Sequence, residues 1–200
     1  MATSATPYGL RPVQMVGGRP YSHGVEHIKI ASGYAANIYY GSIVSIVAAG
    51  TIEIVTTNGD DSTTFPNGTI GVFVGCAYTN SDGQFVHRQY WPTGTVASDA
   101  VAYVVTDPDV IFQAQADGAV TQADLGQNTH LAAVQSTSTG STVTGNSNTA
   151  LTATTGATAT WAFRIVGFVN GPTSTVGDAY TDLLVKFNPN EHSYTNATGI

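Results

Sequence analysis

The chain has 200 residues, 42% of them hydrophobic, enough for one domain with a core of its own or two very small ones. Charged residues make up 10%, which excludes a coiled coil and a charge-driven disordered tail. Six Lys plus Arg against 13 Asp plus Glu leave a net charge of −7, and such sparse cations argue against direct contact with nucleic acid, whose phosphates need clustered positive charge.

The chain holds 21 Val, 11 Ile and 29 Thr but only 6 Leu, 3 Glu and 2 Lys. β-branched side chains are stiff at χ1 and fit a pleated surface, while the depleted residues are among the best helix formers. With 22 Gly and 8 Pro as punctuation, the composition is that of an all-β protein rich in turns. Residues 1–10 have neither a basic start nor an apolar stretch of signal-peptide type, and no apolar run approaches the ~18 residues of a membrane span. No membrane contact is expected.

Residues 1–20 read as an extended N-terminal arm. Pro7, Pro12 and Pro20 remove backbone donors and argue against a helix or a central strand. Yet Tyr8, Leu10, Val13, Met15 and Val16 are too apolar for a solvated tail, so the arm must lie on its own domain or on a neighbouring subunit. Residues 26–31 alternate as a strand. Residues 37–47 form a longer strand region with Gly41 as a bulge, and residues 51–55 follow as another strand. Residues 70–78 and 84–91 flank Asn80-Ser81-Asp82-Gly83, a hairpin in which Asp-Gly supplies the positive-φ turn. Residues 100–105 and 110–115 are two further strands joined by Thr106-Asp107-Pro108-Asp109. Thr121 caps a short helical turn.

Residues 135–160 are a Ser/Thr/Gly/Asn/Ala tract without a single charge. A flexible linker is one reading. The Thr-x-Thr alternation at Thr152-Ala153-Thr154 and Thr158-Ala159-Thr160 favours a polar ribbon or a long ordered loop. Residues 161–169 and 180–187 are the last strands, and residues 188–200 an irregular tail. The expected fold is a single sandwich, jelly-roll or barrel-like domain (residues 21–187) of about ten strands.

The chemistry-bearing residues form no catalytic pattern. His23 and His27 point to one face of a strand, but Glu26 points to the other, and no Cys/His spacing completes a zinc site. Asp60-Asp61 and Asp107-Pro108-Asp109 suit turns better than a calcium loop. There is no G-x-S-x-G elbow, no phosphate-cradling loop entering a helix, and no Glu in an evident catalytic setting. No enzymatic activity, metal or cofactor is expected. Cys76, the only cysteine, lies in an apolar run and reads as a buried, inert thiol.

Several blocks carry a resemblance. They are residues 5–13 (ATPYGLRPV), 28–34 (IKIASGY), 37–41 (NIYYG), 71–79 (GVFVGCAYT), 89–92 (QYWP), 97–104 (ASDAVAYV) with Asp107-Pro108-Asp109, and 192–200 (HSYTNATGI). Together they resemble the capsid cement, or decoration, proteins of tailed phages of the cyanophage and marine-phage type. The likeness spans nearly the whole chain and is weakest over residues 135–160. It implies a β-rich homotrimer, made in the host cytoplasm, that binds the major capsid protein on the outer surface of the phage head. The absence of any segment for a long spine helix argues against the shell protein itself. A tail-fibre or receptor- and glycan-binding module is the alternative, and a small carbohydrate-active enzyme a more distant one. The candidate subunit and shell contacts lie in the arm and tail: Pro7, Tyr8, Leu10, Arg11, Val13, Met15, His192, Tyr194 and Ile200. On this reading, deleting residues 2–18 leaves a soluble β domain that fails to trimerise or to bind heads.

Overall fold

The structure is a computed structural model that describes residues 4–200. It is an all-β sandwich of two antiparallel sheets. The strands are β1 (Arg11–Met15), β2 (Arg19–Pro20), β3 (Glu26–Lys29), β4 (Ile43–Ile46), β5 (Ile52–Ile54), β6 (Thr69–Thr79), β7 (Phe85–Arg88), β8 (Val101–Val105), β9 (Val110–Gln115), β10 (Asn128–Thr129), β11 (Phe163–Phe168) and β12 (Asp182–Phe187). One sheet runs β10-β11-β12-β9-β1-β2. The other runs β3-β8-β6-β4-β5, with β7 also paired to β6. Gln122–Asp124 and Pro189–Glu191 form single 3₁₀ turns. In the first, the Thr121 amide and hydroxyl both donate to the Asp124 carboxylate at 2.8 Å.

The main core lies between the sheets. Phe112 of β9, Phe163 and Ile165 of β11, and Leu183, Val185 and Phe187 of β12 meet Ile43, Val72 and Val105 of the other sheet. Phe187 is the hub of the aromatic contacts, with ring centroids 4.8 Å from Phe163 and 5.8 Å from Phe112. The second sheet also buries its opposite face. There Val44, Ile70, Phe73, Cys76, Ala102 and Val104 lie under Ile38, Trp91 and Ala97 from the long connections. Burial on both faces explains why residues 70–78 read as a continuous apolar run rather than an alternating one. The Asp-Gly hairpin is present as expected, with Gly83 at φ 76° between β6 and β7.

Cys76 is fully buried on that second face, and burial pushes its thiol up to about 12. A neutral, enclosed thiol is a poor nucleophile. An aromatic disulfide reagent is therefore expected to label it only in denaturant. Rapid labelling of the native protein would contradict this placement.

Four expectations are decided or corrected. Of the two places open to the arm, residues 11–15 take the first, on their own domain: β1 sits between β9 and β2, pairing Arg11 with Gln113 and Met15 with Val110. Pro12 is tolerated inside the sheet because the ladder slips between Pro12 and Gln14, a bulge at which the missing N–H costs little. Leu10 is wholly enclosed in the main core. Deleting residues 2–18 would thus remove a strand and a core side chain, so the truncation is expected to unfold the domain. The fourth concerns residues 37–47, where only Ile43–Ile46 is a strand. The preceding residues turn across the sheet end, held by isolated bridges from Ile38 to Trp91 and from Tyr40 to Asn146.

The uncharged tract is an ordered loop laid over the sandwich. Leu151, Ser147 and Thr149 are buried, and Leu151 bridges both Ala116 and Leu131. Gln135 is buried as well. Its Oε1 accepts the Ile43 N–H at 2.9 Å, while its Nε2 donates to the Ile43 and Val55 carbonyls at 3.2 and 3.1 Å.

Candidate functional site

One end of the sandwich gathers most of the chain's predicted contact segments. It is the end where β8 finishes and β9 and β6 begin. The turn joining β8 to β9 is built as its sequence demands: the Asp109 N–H donates to Asp107 Oδ1 at 2.8 Å, and the Val110 N–H to the Asp107 carbonyl at 3.2 Å. Against this turn the Val16 N–H donates to the Asp109 carbonyl, bringing in the glycine turn between β1 and β2. Lys186 of β12 pairs with Asp109 at 3.2 Å, a part-exposed contact of small energetic value.

The tail closes the same end. The Ser193 N–H donates to the Thr69 carbonyl at 2.7 Å, and the Tyr194 hydroxyl donates to Glu26 of β3 at 2.8 Å. The Ile200 side chain comes down beside Gly68, next to a shallow depression of about 410 Å³ lined by the β4–β5 hairpin. Val16, Val25, Tyr194 and Ile200 all stand exposed here, Ile200 at 68%.

The predicted contact residues divide accordingly. Met15, Tyr194 and Ile200 lie at this end, and Val13 is an exposed bulge residue on β1 leading to it. Pro7, Tyr8 and Arg11 belong to the opposite end of β1. There the Arg11 guanidinium lies 4.3 Å over the Tyr8 ring. The Tyr8 hydroxyl is buried, and burial together with the Asp182 carboxylate raises its ionisation well beyond the ordinary tyrosine range. Leu10 and His192 present no surface to another chain, because both are buried. Sequence reasoning missed this for His192 because a polar residue in an irregular tail reads as exposed. The apolar Phe187 ring, 5.4 Å away, is what encloses it.

His192 adds a pH dependence to this end. Burial first of all pushes its imidazole down to about 4, and the Tyr194 N–H donating to Nδ1 at 3.2 Å suits the neutral ring. The unfolded chain, with a histidine near 6.5, takes up the proton first. Stability is therefore full above that value and is lost as pH falls from about 6.5 through about 4. Neighbouring Glu191 accepts the Phe65 N–H at 2.8 Å and is shifted upward by burial, so its contribution runs in the opposite direction. Comparing the native chain with His192→Gln isolates the imidazole. Between pH 7 and 4.5 the native chain is expected to lose about 2–3 kcal/mol more than the variant, read by urea unfolding. Parallel losses would show that His192 is solvated.

The remaining histidines are not grouped for metal. His23, at φ 59°, lies outside the strand against Tyr21. His27 packs tilted against Tyr103, 4.8 Å between centroids. Tyr103 stacks on His87 at 6.1 Å, and His87 meets Phe85 edge-on at 5.1 Å. This row crosses β3, β8 and β7 over Gly75, whose missing side chain leaves room for the rings to approach. The row was not legible in the sequence, because its members come from three strands. Among the described residues, no three of His, Cys, Asp and Glu are placed to share a metal ion. Asp60 is spent on its own loop, accepting from Asn58, Ser62 and Thr63, and these bonds hold its carboxyl well below the usual range. No described helix is long and apolar enough to cross a membrane.

No family model, curated protein or solved structure matches this chain.

Proposed function

We propose that this chain is a structural virion protein, a capsid cement that binds the assembled head of a tailed phage as a homotrimer, through the end of the sandwich where the tail and the β8–β9 turn meet. The single structural observation that supports the reading is the set of exposed apolar side chains at that end: Val16, Val25, Tyr194 and Ile200. Val16 and Tyr194 sit on segments pinned by backbone hydrogen bonds, Val16 N–H to the Asp109 carbonyl and Ser193 N–H to the Thr69 carbonyl, so this part of the surface is preorganised and loses little ordering entropy on docking. The sequence blocks that resemble cement proteins include the tail, residues 192–200, and the Asp107-Pro108-Asp109 turn that build it.

The physical advantage of such a protein is selective binding. A clamp that binds the assembled lattice and not free subunits stabilises the lattice by mass action. A symmetric oligomer engages several equivalent shell contacts at once, and weak contacts then add through effective concentration.

The test is co-sedimentation of the purified chain with phage heads stripped of their decoration. Saturable binding at a fixed ratio to shell subunits, with a raised temperature of head disruption, is expected. Val16→Asp and Tyr194→Ala should weaken that binding at least tenfold while leaving the far-ultraviolet spectrum and unfolding midpoint nearly unchanged. Localisation of the chain at the tail, or full binding by both variants, would sink the proposal.

A further inference from the structure

A second surface lies around the other end of the second sheet and takes no part in the reading above. Three depressions adjoin one another there. The central one, about 570 Å³, is lined by Asn80, Ser81, Arg88, Tyr90, Pro92 and Thr95, among others. Arg88 and Tyr90 also wall a smaller one of about 250 Å³ with Thr142, Val143 and Thr144. On the opposite side Val96 is shared with a third, about 500 Å³, that ends at Ser98 and Asp99. The shared residues make the three a single shallow track.

Its walls are held rigidly. The Tyr90 ring lies nearly parallel to Tyr39, 5.7 Å away, and the Tyr39 hydroxyl donates to the Thr137 carbonyl. Gln89 donates to Asn146 at 2.6 Å, tying the strand end to the uncharged loop. Asp99 is already engaged, accepting the Thr79 N–H and hydroxyl, the latter at 2.6 Å. Val96 and Val143, 78% and 93% exposed, present bare apolar surface along the track.

Arg88 is the unspent group of the track. Among the described residues its guanidinium, like the Arg19 and Lys29 side chains, has neither an ion pair nor a hydrogen bond, and it lines two of these depressions. A guanidinium is a fork for bidentate recognition of a carboxylate. The other lining groups are hydroxyls, amides, a tyrosine ring and small apolar faces, the mixture that orients a ligand rich in hydroxyls with apolar C–H faces. A single cation on a chain of net charge −7 does not suit a polyanion with a phosphate at every unit.

We infer that this track binds an extended saccharide chain carrying a carboxylated sugar, with Arg88 on the carboxylate and Tyr90 against a sugar face. The inference is independent of the head-binding reading, since none of the track residues belongs to the end assigned there.

The experiment is a titration of the full ¹⁵N-labelled chain with an aldopentaouronic acid, a xylotetraose chain bearing one methylglucuronate and so a single carboxylate, and with xylopentaose as an uncharged probe of similar size. Amide shifts confined to the track, at residues 80–81, 88–90, 95–99 and 142–145, are expected with the acidic probe. Arg88→Gln should weaken that binding at least tenfold and leave any xylopentaose binding unchanged. Because the exposed Arg88 side chain has no partner, the variant should keep the native near-ultraviolet spectrum. No shift with either probe into the millimolar range, or binding of the acidic probe indifferent to Arg88→Gln, would overturn the inference. So would occupation of the same amides by stripped heads or by shell-protein peptides in place of the saccharide, which would make the track a protein dock.

Discussion

Gly71→Ala is expected to cost about 3 kcal/mol or more and, in a domain of this size, to leave much of the chain unfolded at physiological temperature. Gly71 sits in β6 at φ 143°, a conformation that L side chains rarely adopt. A Cβ placed there would lie 1.9 Å from the Val105 carbonyl oxygen of β8, inside any permissible contact. The obstruction is backbone, so no side-chain rotation relieves it. Either β6 or β8 must move, and both carry residues of the two cores, Val72 and Val105 facing one and Phe73 and Val104 the other. Gly75→Ala provides the graded comparison. It shares the φ, 144°, but its nearest obstacle is the Arg88 carbonyl oxygen at 3.1 Å, so a smaller loss is expected. Gly50→Ala, at φ 71° with nothing within 4 Å, should cost about 1 kcal/mol. Urea unfolding of the three variants tests the ordering. Equal losses at Gly71 and Gly50 would mean that the close approach of β6 to β8 is misplaced.

The sheet-forming half of this architecture was legible because its signals are local. Alternation predicts β3, Asp82-Gly83 predicts the β6–β7 hairpin, and Asp107-Pro108-Asp109 predicts a turn. What local signals do not carry is which sheet a strand joins. Residues 101–105 and 110–115 are neighbours in sequence, yet β8 and β9 enter different sheets, so the turn between them is a crossing point of the sandwich. The strand character of residues 11–15 was hidden by Pro12, whose cost depends on a bulge that only the partner strand β9 reveals.

The functional surfaces were less legible, for a related reason. Tyr194 and Ile200 could be picked as exposed apolar residues in a tail, but their grouping with Val16 and Val25 depends on the β8–β9 turn to which the β1–β2 hairpin is bonded. His192 shows the converse failure. A polar residue two positions from exposed Tyr194 is buried because the tail folds back over Phe187. Arg88 drew no notice in the sequence, where any arginine on a strand end passes for a solvated charge. Its significance is the lack of a partner within a groove, a property of the surroundings rather than of the residue.

Gln135→Leu is expected to destabilise the domain by about 2–4 kcal/mol, although the two side chains are similar in size and the position is fully buried. The Gln135 amide acts as a piece of substitute backbone at the end of the β4–β5 pair. Its Oε1 takes the Ile43 N–H, and its Nε2 supplies the Val55 carbonyl, which has no other described donor. The Ile43 carbonyl keeps a second partner, the Val55 N–H at 3.0 Å. Leucine therefore orphans one buried donor and one buried acceptor, each costing about 1–3 kcal/mol, and returns part of this as apolar transfer energy. Glutamate should be worse at neutral pH, because a carboxylate oxygen would then face two carbonyls. The same side chain is the anchor at which the uncharged tract begins, so its loss should also loosen the loop locally. Residues 135–160 contain no Lys or Arg, which makes trypsin blind to them and proteinase K the appropriate probe. Under native conditions the Leu variant should be cut within residues 136–150 faster than the native chain, by more than its loss of global stability explains. A variant with native stability and native cleavage would show that the loop is held by its buried Leu151 and hydroxyl contacts alone, and that Gln135 is dispensable.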